Sequence, residues 1–551
     1  MSTIDLNGVL RPIRAVGSMD AGSTQLRLTA SAGFRILDDI IVEIGGEEGR
    51  GLVNTTGVGG VWPGDPNDGR YYNKTNLPKP LCTKITHISA DGRELTLETP
   101  SVTATSNANV HLDNTKLWYD ATFWNEEKPI TTEENVTVIV PTGSFAVQGV
   151  IPITWHKGWT VRGSGKNATE FFSPDGVPTL YMRMFESPRA KLSDLRIRGN
   201  VGVHGFGPPD WYPGAIDFTL SPDSVIKDII AIDCWRALSI NYSYNTWAYN
   251  VDAYLQEQLM CYVSWQHAWA NSENGGAVDC GVYSRYLTAG IEAFQSQNTQ
   301  FIRTYSLNGM ASSNSSAGML LEDFYLHVSK GQKIGHIDPN TIYNPLINFN
   351  RNVDNQQGVE GGLSSQGGKI VRAKMIQDGP IDNGNGEWFL SGIVVDTANV
   401  TVESGFYLVP DMESANDTKG RGTPGFITDD GPGCVVDGFT SWGRALEGGW
   451  NKLIYCPKGT VKNSRALLIG AMIEENNTYD PGPRPNIDPF PESLLVPPAM
   501  GTIPPVEPPI DPPPVDSPIA SMEKLCDVML ELIKELDNIV RVMQQILVNI
   551  K

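Results

Sequence analysis

Between Trp235 and Trp269 the chain gathers the side chains best suited to holding a sugar: Trp235, Tyr242, Tyr244, Trp247, Tyr249, Tyr254, Tyr262, Trp265 and Trp269, with no phenylalanine among them. Each ring has a flat apolar face and a polar edge, which suits stacking on a pyranose. The same rings suit a subunit interface, or a plain core. Trp235, Tyr244, Trp247, Tyr254, Trp265 and Trp269 are the candidates for sugar contact. Cutting a glycosidic bond by hydrolysis needs two carboxyls, ~5–5.5 Å apart for retention or ~6.5–9.5 Å for inversion. Acids near the rings are Asp217, Asp233, Asp252, Glu257, Asp279, Glu292 and Glu322. Asp252 and Glu257 lie close together in sequence beside the rings. Asp217 and Glu292 fall at equivalent places in strands that align, so both should point outward from one sheet, with at least one turn of chain between them. These four are the catalytic candidates for a polysaccharide depolymerase, whether hydrolase or lyase.

Other chemistries find less support. The seven histidines show no HxH or HExxH spacing, and the seven cysteines show no CxxC, so neither a metal nor another cofactor is expected. The cysteines read as buried free thiols, with Cys526 the exception. There is no Gly-x-Ser-x-Gly. The glycine run Gly45 to Gly51 lacks a Gly-Lys-Ser/Thr ending and reads as a surface loop. A net charge of −20 argues against nucleic acid as the main partner. No apolar stretch is long enough to span a membrane, and Met1 to Arg14 shows no secretion signal.

The elements that must position these residues are mostly strands. Only 19 % of residues are charged, and 56 are glycine, a composition of turn-rich β structure. Residues 1–117 read as a small β domain. Its signals are the alternation over Thr24–Thr29, the apolar run Asp39–Ile44, and a hairpin joining Lys84–Ile88 to Glu94–Glu98 through Asp91-Gly92. Residues 118–478 carry short apolar strands such as Asn135–Val140, Leu192–Ile197 and Val225–Ile232. Four segments share a small residue followed by an apolar one: Gly214–Phe218, Arg236–Ile240, Ala289–Ala293 and Ala317–Leu321. Such a repeat without helical periodicity points to a parallel β-solenoid, with a large β-sandwich as the alternative.

Residues 479–518 are punctuated by proline and read as an extended linker, either projecting from the body or lying along it. Residues 519–551 read as a coiled-coil helix. Met522, Leu525, Met529, Leu532, Leu536, Ile539, Met543, Ile546 and Ile550 return at steps of three and four. A second column, Cys526, Ile533, Val540 and Leu547, widens the apolar stripe beyond what a two-stranded coil covers, so three strands are expected. The alternative is a helix lying on its own globular domain.

Pro141–Phe145, the strand around Val150–Ile153, and Trp159–Thr169 resemble the opening coils of pectate-lyase-like right-handed parallel β-helices, the phage tailspikes most of all in overall plan. The Asp-Gly-rich, helix-bearing segment that often opens such spikes is not evident around Tyr119–Phe123. The resemblance implies an all-β body, a homotrimeric virion spike contacting other virion proteins, and binding or cleavage of host surface polysaccharide. A purely structural virion appendage, such as a collar or neck fibre, and a free lyase or hydrolase are the competing readings.

Overall fold

The computed structural model describes residues 2–501 apart from 47–79, 123–132, 149, 175–180, 200–214, 235, 257–266, 315, 333–344, 351–365, 380, 383–386, 389–390, 396, 410–424, 429–430, 444–452, 467–468, 481, 484–485 and 487. Most of the glycine run Gly45 to Gly51 and the whole heptad segment therefore lie outside the described residues.

Strands stack in parallel, each pairing with a strand one coil earlier and one coil later. Three ladders result. In sheet A, Ile216–Thr219 pairs with Leu238–Asn241, which pairs with His267–Ala270, which pairs with residues 291–294. In sheet B, residues 225–227 pair with residues 247–249, and these with Gly276–Val278. In sheet C, residues 229–232 pair with 251–254. One bend separates sheets B and C within a continuous strand. It falls at Asp194, Asp228 and Asn250, all with positive φ, a conformation that Asp and Asn tolerate. The body is thus a parallel β-helix, and its interior is one apolar column running from Leu6 to Ile469.

Three of the four aligned segments, at 216, 238 and 291, do occupy sheet A. Ala317–Glu322 is different: it pairs with Gln300–Ile302 and Gln366–Val371 in sheet B. A small residue followed by an apolar one marks any inward-facing strand, so the signature cannot tell one sheet from another.

A ladder of buried serines lines the corner between sheets A and B. The Ser187 amide donates to Ser221 Oγ (3.0 Å), Ser221 to Ser243 (3.0 Å), Ser243 to Ser272 (3.2 Å), Ser272 to Ser296 (3.1 Å) and Ser296 to Ser316 (3.0 Å). Backbone donors that turn inward at this corner are satisfied in this way, as burial demands.

Residues 14–112 contain a closed antiparallel barrel of six strands with its own core, including Leu26, Ile40, Val42, Ile85, Leu95 and Val110. The chain's first strand, Thr3–Asp5, lies outside the barrel and pairs with Thr137–Ile139 of sheet B. A helix, Thr115–Ala121, follows the barrel where none was expected. It buries Trp118 edge-on against Phe171, with ring centroids 5.7 Å apart. Its apolar contribution is a single anchor over two turns, too short to show a period.

The proline-rich segment does not project over its first half. From Asp488 to Gly501 it returns along the outside of sheet C, antiparallel to the direction of stacking. Phe490 meets His327 edge-on at 4.9 Å. Gln256 donates to the Leu495 carbonyl, Arg196 to the Pro498 carbonyl (2.6 Å), and the Gly501 amide to the Asn167 carbonyl (2.7 Å). Six inter-coil steps separate His327 from Asn167, about 29 Å at ~4.8 Å each. The eleven residue steps from Phe490 to Gly501 span about 34 Å as polyproline II. A short 3-10 turn, Glu492–Leu495, accounts for the slack.

Candidate functional site

The coil running from Leu238 to Gln256 carries the predicted chemistry around three sides. Its first corner holds Tyr242 and Tyr244, 49 % and 54 % exposed. On sheet B, Trp247 and Tyr249 point outward with their rings nearly parallel (24°, centroids 6.3 Å), and Tyr249 is 37 % exposed. Trp247 Nε1 donates to Asn245 Oδ1 at 3.2 Å, which holds the indole edge. In the next coil the residue beside Trp247 is Gly276, and a Cβ there would lie far inside contact distance of the Gln300 carbonyl. The position must be glycine, and the bare backbone leaves the indole flank open. Elsewhere in the described solenoid, before the proline strap, the exposed large apolar residues Ile139, Trp155 and Tyr479 stand singly, while Leu220 lies beside Tyr242 in the preceding coil. Tyr242, Tyr244, Trp247 and Tyr249 form a shelf on one coil.

Sheet C of the same coil carries Asp252 and Tyr254. Tyr254 is buried, its ring stacked on Tyr283 at 4.9 Å, and the stack continues through Tyr305 and Tyr325. Asp252 is bonded by the Tyr283 hydroxyl and lies 3.5 Å from Lys166 Nζ. Burial raises its pKa, against the opposing effect of Lys166. Gly281 is what lets Tyr283 lie flat, since a Cβ there would lie well inside contact distance of the ring.

Sheet A holds the other two acids. Asp217 and Glu292 share an outward column with Ser239 and Ala268 between them. Both are buried, and burial raises both pKa values, Glu292 to about 7. Asp217 accepts from Thr219 Oγ1 at 2.8 Å, and the Arg236 charge opposes the shift of each acid. Three inter-strand steps put the backbones of Asp217 and Glu292 about 14 Å apart. Of the other two catalytic candidates, Asp252 is on a different sheet, and Glu257 lies outside the described residues.

Of the six predicted sugar contacts, Tyr244 and Trp247 sit on the exposed shelf. Tyr254 lies beneath the proline strap's side of the molecule, while Trp235 and Trp265 are outside the described residues. Trp269 is a correction. It is fully buried inside the solenoid, edge-on to Phe301 at 5.3 Å, with Nε1 donating to the Thr246 carbonyl. Its parity in His267–Ala270 matches Ile240 and Ala293, both inward. The six named candidates leave out Tyr249 and Tyr242, which share the exposed coil, and sequence reasoning did not single out Tyr283 or Arg196. Tyr249 could have been found from its alternation with Trp247.

The thiols of Cys234, Cys280, Cys434 and Cys456 are free and buried, and Cys82 is free and exposed; burial pushes Cys234 and Cys280 up to about 12. Among the described residues no group of three or more His, Cys, Asp or Glu comes together to hold a metal. No described helix is long and apolar enough to cross a membrane.

No family model and no curated protein matches the chain. Among solved structures it is similar to the catalytic domain of Agl-KA (11 % identity, 84 % of this chain and 90 % of that one, TM-score 0.43). It is also similar to the Streptococcus pneumoniae surface protein and adhesin PfbA (12 %, 66 % and 93 %, TM-score 0.41). A third is ORF18 of Geobacillus virus E2 (12 %, 66 % and 57 %, TM-score 0.33). Likenesses this distant decide nothing about function. The strand ladders themselves establish the fold, and the chain is a parallel β-helix protein with an aromatic shelf on one coil.

Proposed function

We propose that this chain is the subunit of a homotrimeric bacteriophage spike that binds host surface polysaccharide through the shelf of Tyr242, Tyr244, Trp247 and Tyr249. The shelf carries the reading. Four amphipathic rings stand on one coil of a rigid solenoid, with Leu220 beside Tyr242, whereas the other exposed large apolar side chains of the described solenoid before the strap stand singly. Rigid strands hold the rings in place, so little ordering entropy is lost when a sugar stacks on them. The trimer is supported by the heptad residues Met522 to Ile550 in the sequence. Binding is the part of the reading that the rings support; Asp217 and Glu292, the two candidate acids on one sheet, have Ser239 and Ala268 between them. The expected partners are two further copies of the chain, other virion proteins and the host glycan, and the expected location is the virion.

The test is to incubate purified full-length protein with host capsule and lipopolysaccharide, beside a Tyr244→Ala/Trp247→Ala/Tyr249→Ala variant of equal oligomeric state. Binding that weakens at least about tenfold in the variant, ~1.4 kcal/mol, supports the shelf. No binding by the native protein to any host glycan removes the proposal and leaves a purely structural appendage.

A further inference from the structure

The strap along sheet C covers polar and aromatic groups unlike those of an ordinary packing seam. Arg196, 4 % exposed, donates to the Lys166 carbonyl (3.3 Å), to Asn167 Oδ1 (2.9 Å) and to the Pro498 carbonyl (2.6 Å). Beside it on the same sheet stand Asp252 with Lys166, then the stacked rings of Tyr254, Tyr283, Tyr305 and Tyr325. A seam built only for stability would use apolar side chains, because burying charge carries a desolvation cost. The strap meets these groups mainly with acceptors: the carbonyls of Leu495 and Pro498 receive the Gln256 and Arg196 donors, and its prolines have no amide to give. Its apolar residues hold it only in part: Leu495 is buried and Phe490 meets His327, while Leu494 and Val496 stay 44 % and 57 % exposed. An extended ribbon rich in acceptors, lying over stacked rings and a guanidinium, has the recognition features of an acidic polysaccharide.

We infer that the outer face of sheet C is a second glycan groove, specific for a carboxylate-bearing polysaccharide, and that residues 488–501 are a displaceable lid occupying it. Arg196 takes the sugar carboxylate in the place now held by the Pro498 carbonyl, as a guanidinium prefers a carboxylate over a neutral acceptor. Lys166 and Asp252 flank that position, and the tyrosine stack supports the sugar faces. The inference rests on reading the chain as a glycan-binding protein, but it concerns a face separate from the exposed shelf.

The test uses the full-length protein, a hexamer of galacturonate as acidic probe and maltohexaose as neutral control. A Phe490→Ala/Leu495→Ala variant loosens the lid, and its far-ultraviolet spectrum and protease resistance establish that the solenoid stays folded. The loosened variant is expected to bind the acidic hexamer at least fivefold more tightly than the native chain. Adding Arg196→Gln should abolish that gain, and maltohexaose should show none. In the native protein, saturating acidic hexamer should speed amide exchange across Leu494–Gly501. Equal affinity of native and loosened proteins, or unchanged exchange at saturation, overturns the inference. If host polysaccharide still binds through the shelf in that case, only the second groove is lost. If the shelf substitutions leave host binding intact while the acidic hexamer responds as described, the shelf reading fails and the groove stands.

Discussion

Ser243→Ala removes one rung from the serine ladder, and the structure fixes what is lost. Ser243 Oγ accepts the Ser221 amide at 3.0 Å, and its one proton is shared between the carbonyls of Asn241 (3.0 Å) and Phe218 (3.4 Å). Both serines are buried, so water does not replace the lost acceptor. A buried amide left without a partner costs ~1–3 kcal/mol, and losing the serine's own bond adds ~0.5–1.5 kcal/mol. Alanine leaves almost no cavity, so the expected loss is about 2–4 kcal/mol. In a solenoid the damage stays near its neighbours. Urea unfolding followed by circular dichroism should show the loss, and amide exchange at Ser221 should rise while Ser296 stays protected. Ser23→Ala in the barrel is the control, because the Gln25 amide it serves is exposed to water. A loss below about 0.5 kcal/mol with unchanged exchange at Ser221 would refute the claim that the ladder satisfies the corner.

Three further outcomes follow from particular residues. Gly281→Ala should push the Tyr283 ring off its seat and break its bond to Asp252, costing about 1–2 kcal/mol and visible as altered tyrosine fluorescence. Glu292 has its pKa raised from an ordinary 4.5 to about 7, so above pH 4.5 the unfolded chain gives up a proton that the folded chain keeps. Stability therefore falls as pH rises from 4.5 to 7. Glu292→Gln should match the native protein at pH 4 and exceed it at pH 8 by up to about 3 kcal/mol in urea unfolding. Replacing Leu532 and Leu536 with Asp should put charge into the proposed helical seam, and sedimentation should then report single chains.

Much of the solenoid could be read from residue order, and the losses have physical causes. The strands at 216, 238 and 291 were recoverable because inward positions of a repeated coil want the same apolar type. The outward parity of Asp217 and Glu292 was also legible. The number of coils between them was not, since Ser239 and Ala268 carry no signal of their own. The serine ladder has a pattern that escaped notice: Leu220-Ser221-Pro222-Asp223, Tyr242-Ser243-Tyr244-Asn245, Asn271-Ser272-Glu273-Asn274 and Gln295-Ser296-Gln297-Asn298. In each, positive-φ residues bracket the serine. The rungs stand 22, 29 and 24 residues apart, because sequence of variable length enters between sheets C and A, as between Leu255 and His267, and hides the period. Trp269 was grouped with its neighbours by composition, whereas its place in the alternation puts it inside. Proline content shows that residues 479–501 are extended; it cannot show that Arg196 and Gln256 offer donors to hold them down.

The most direct test of the central claim is a structure of the full-length protein soaked with a fragment of the host polysaccharide. The account predicts sugar density stacked on Trp247 and Tyr249 of the Leu238–Gln256 coil, in each of three chains. Ordered sugar on another part of the surface, with the shelf empty at saturating ligand, would contradict it.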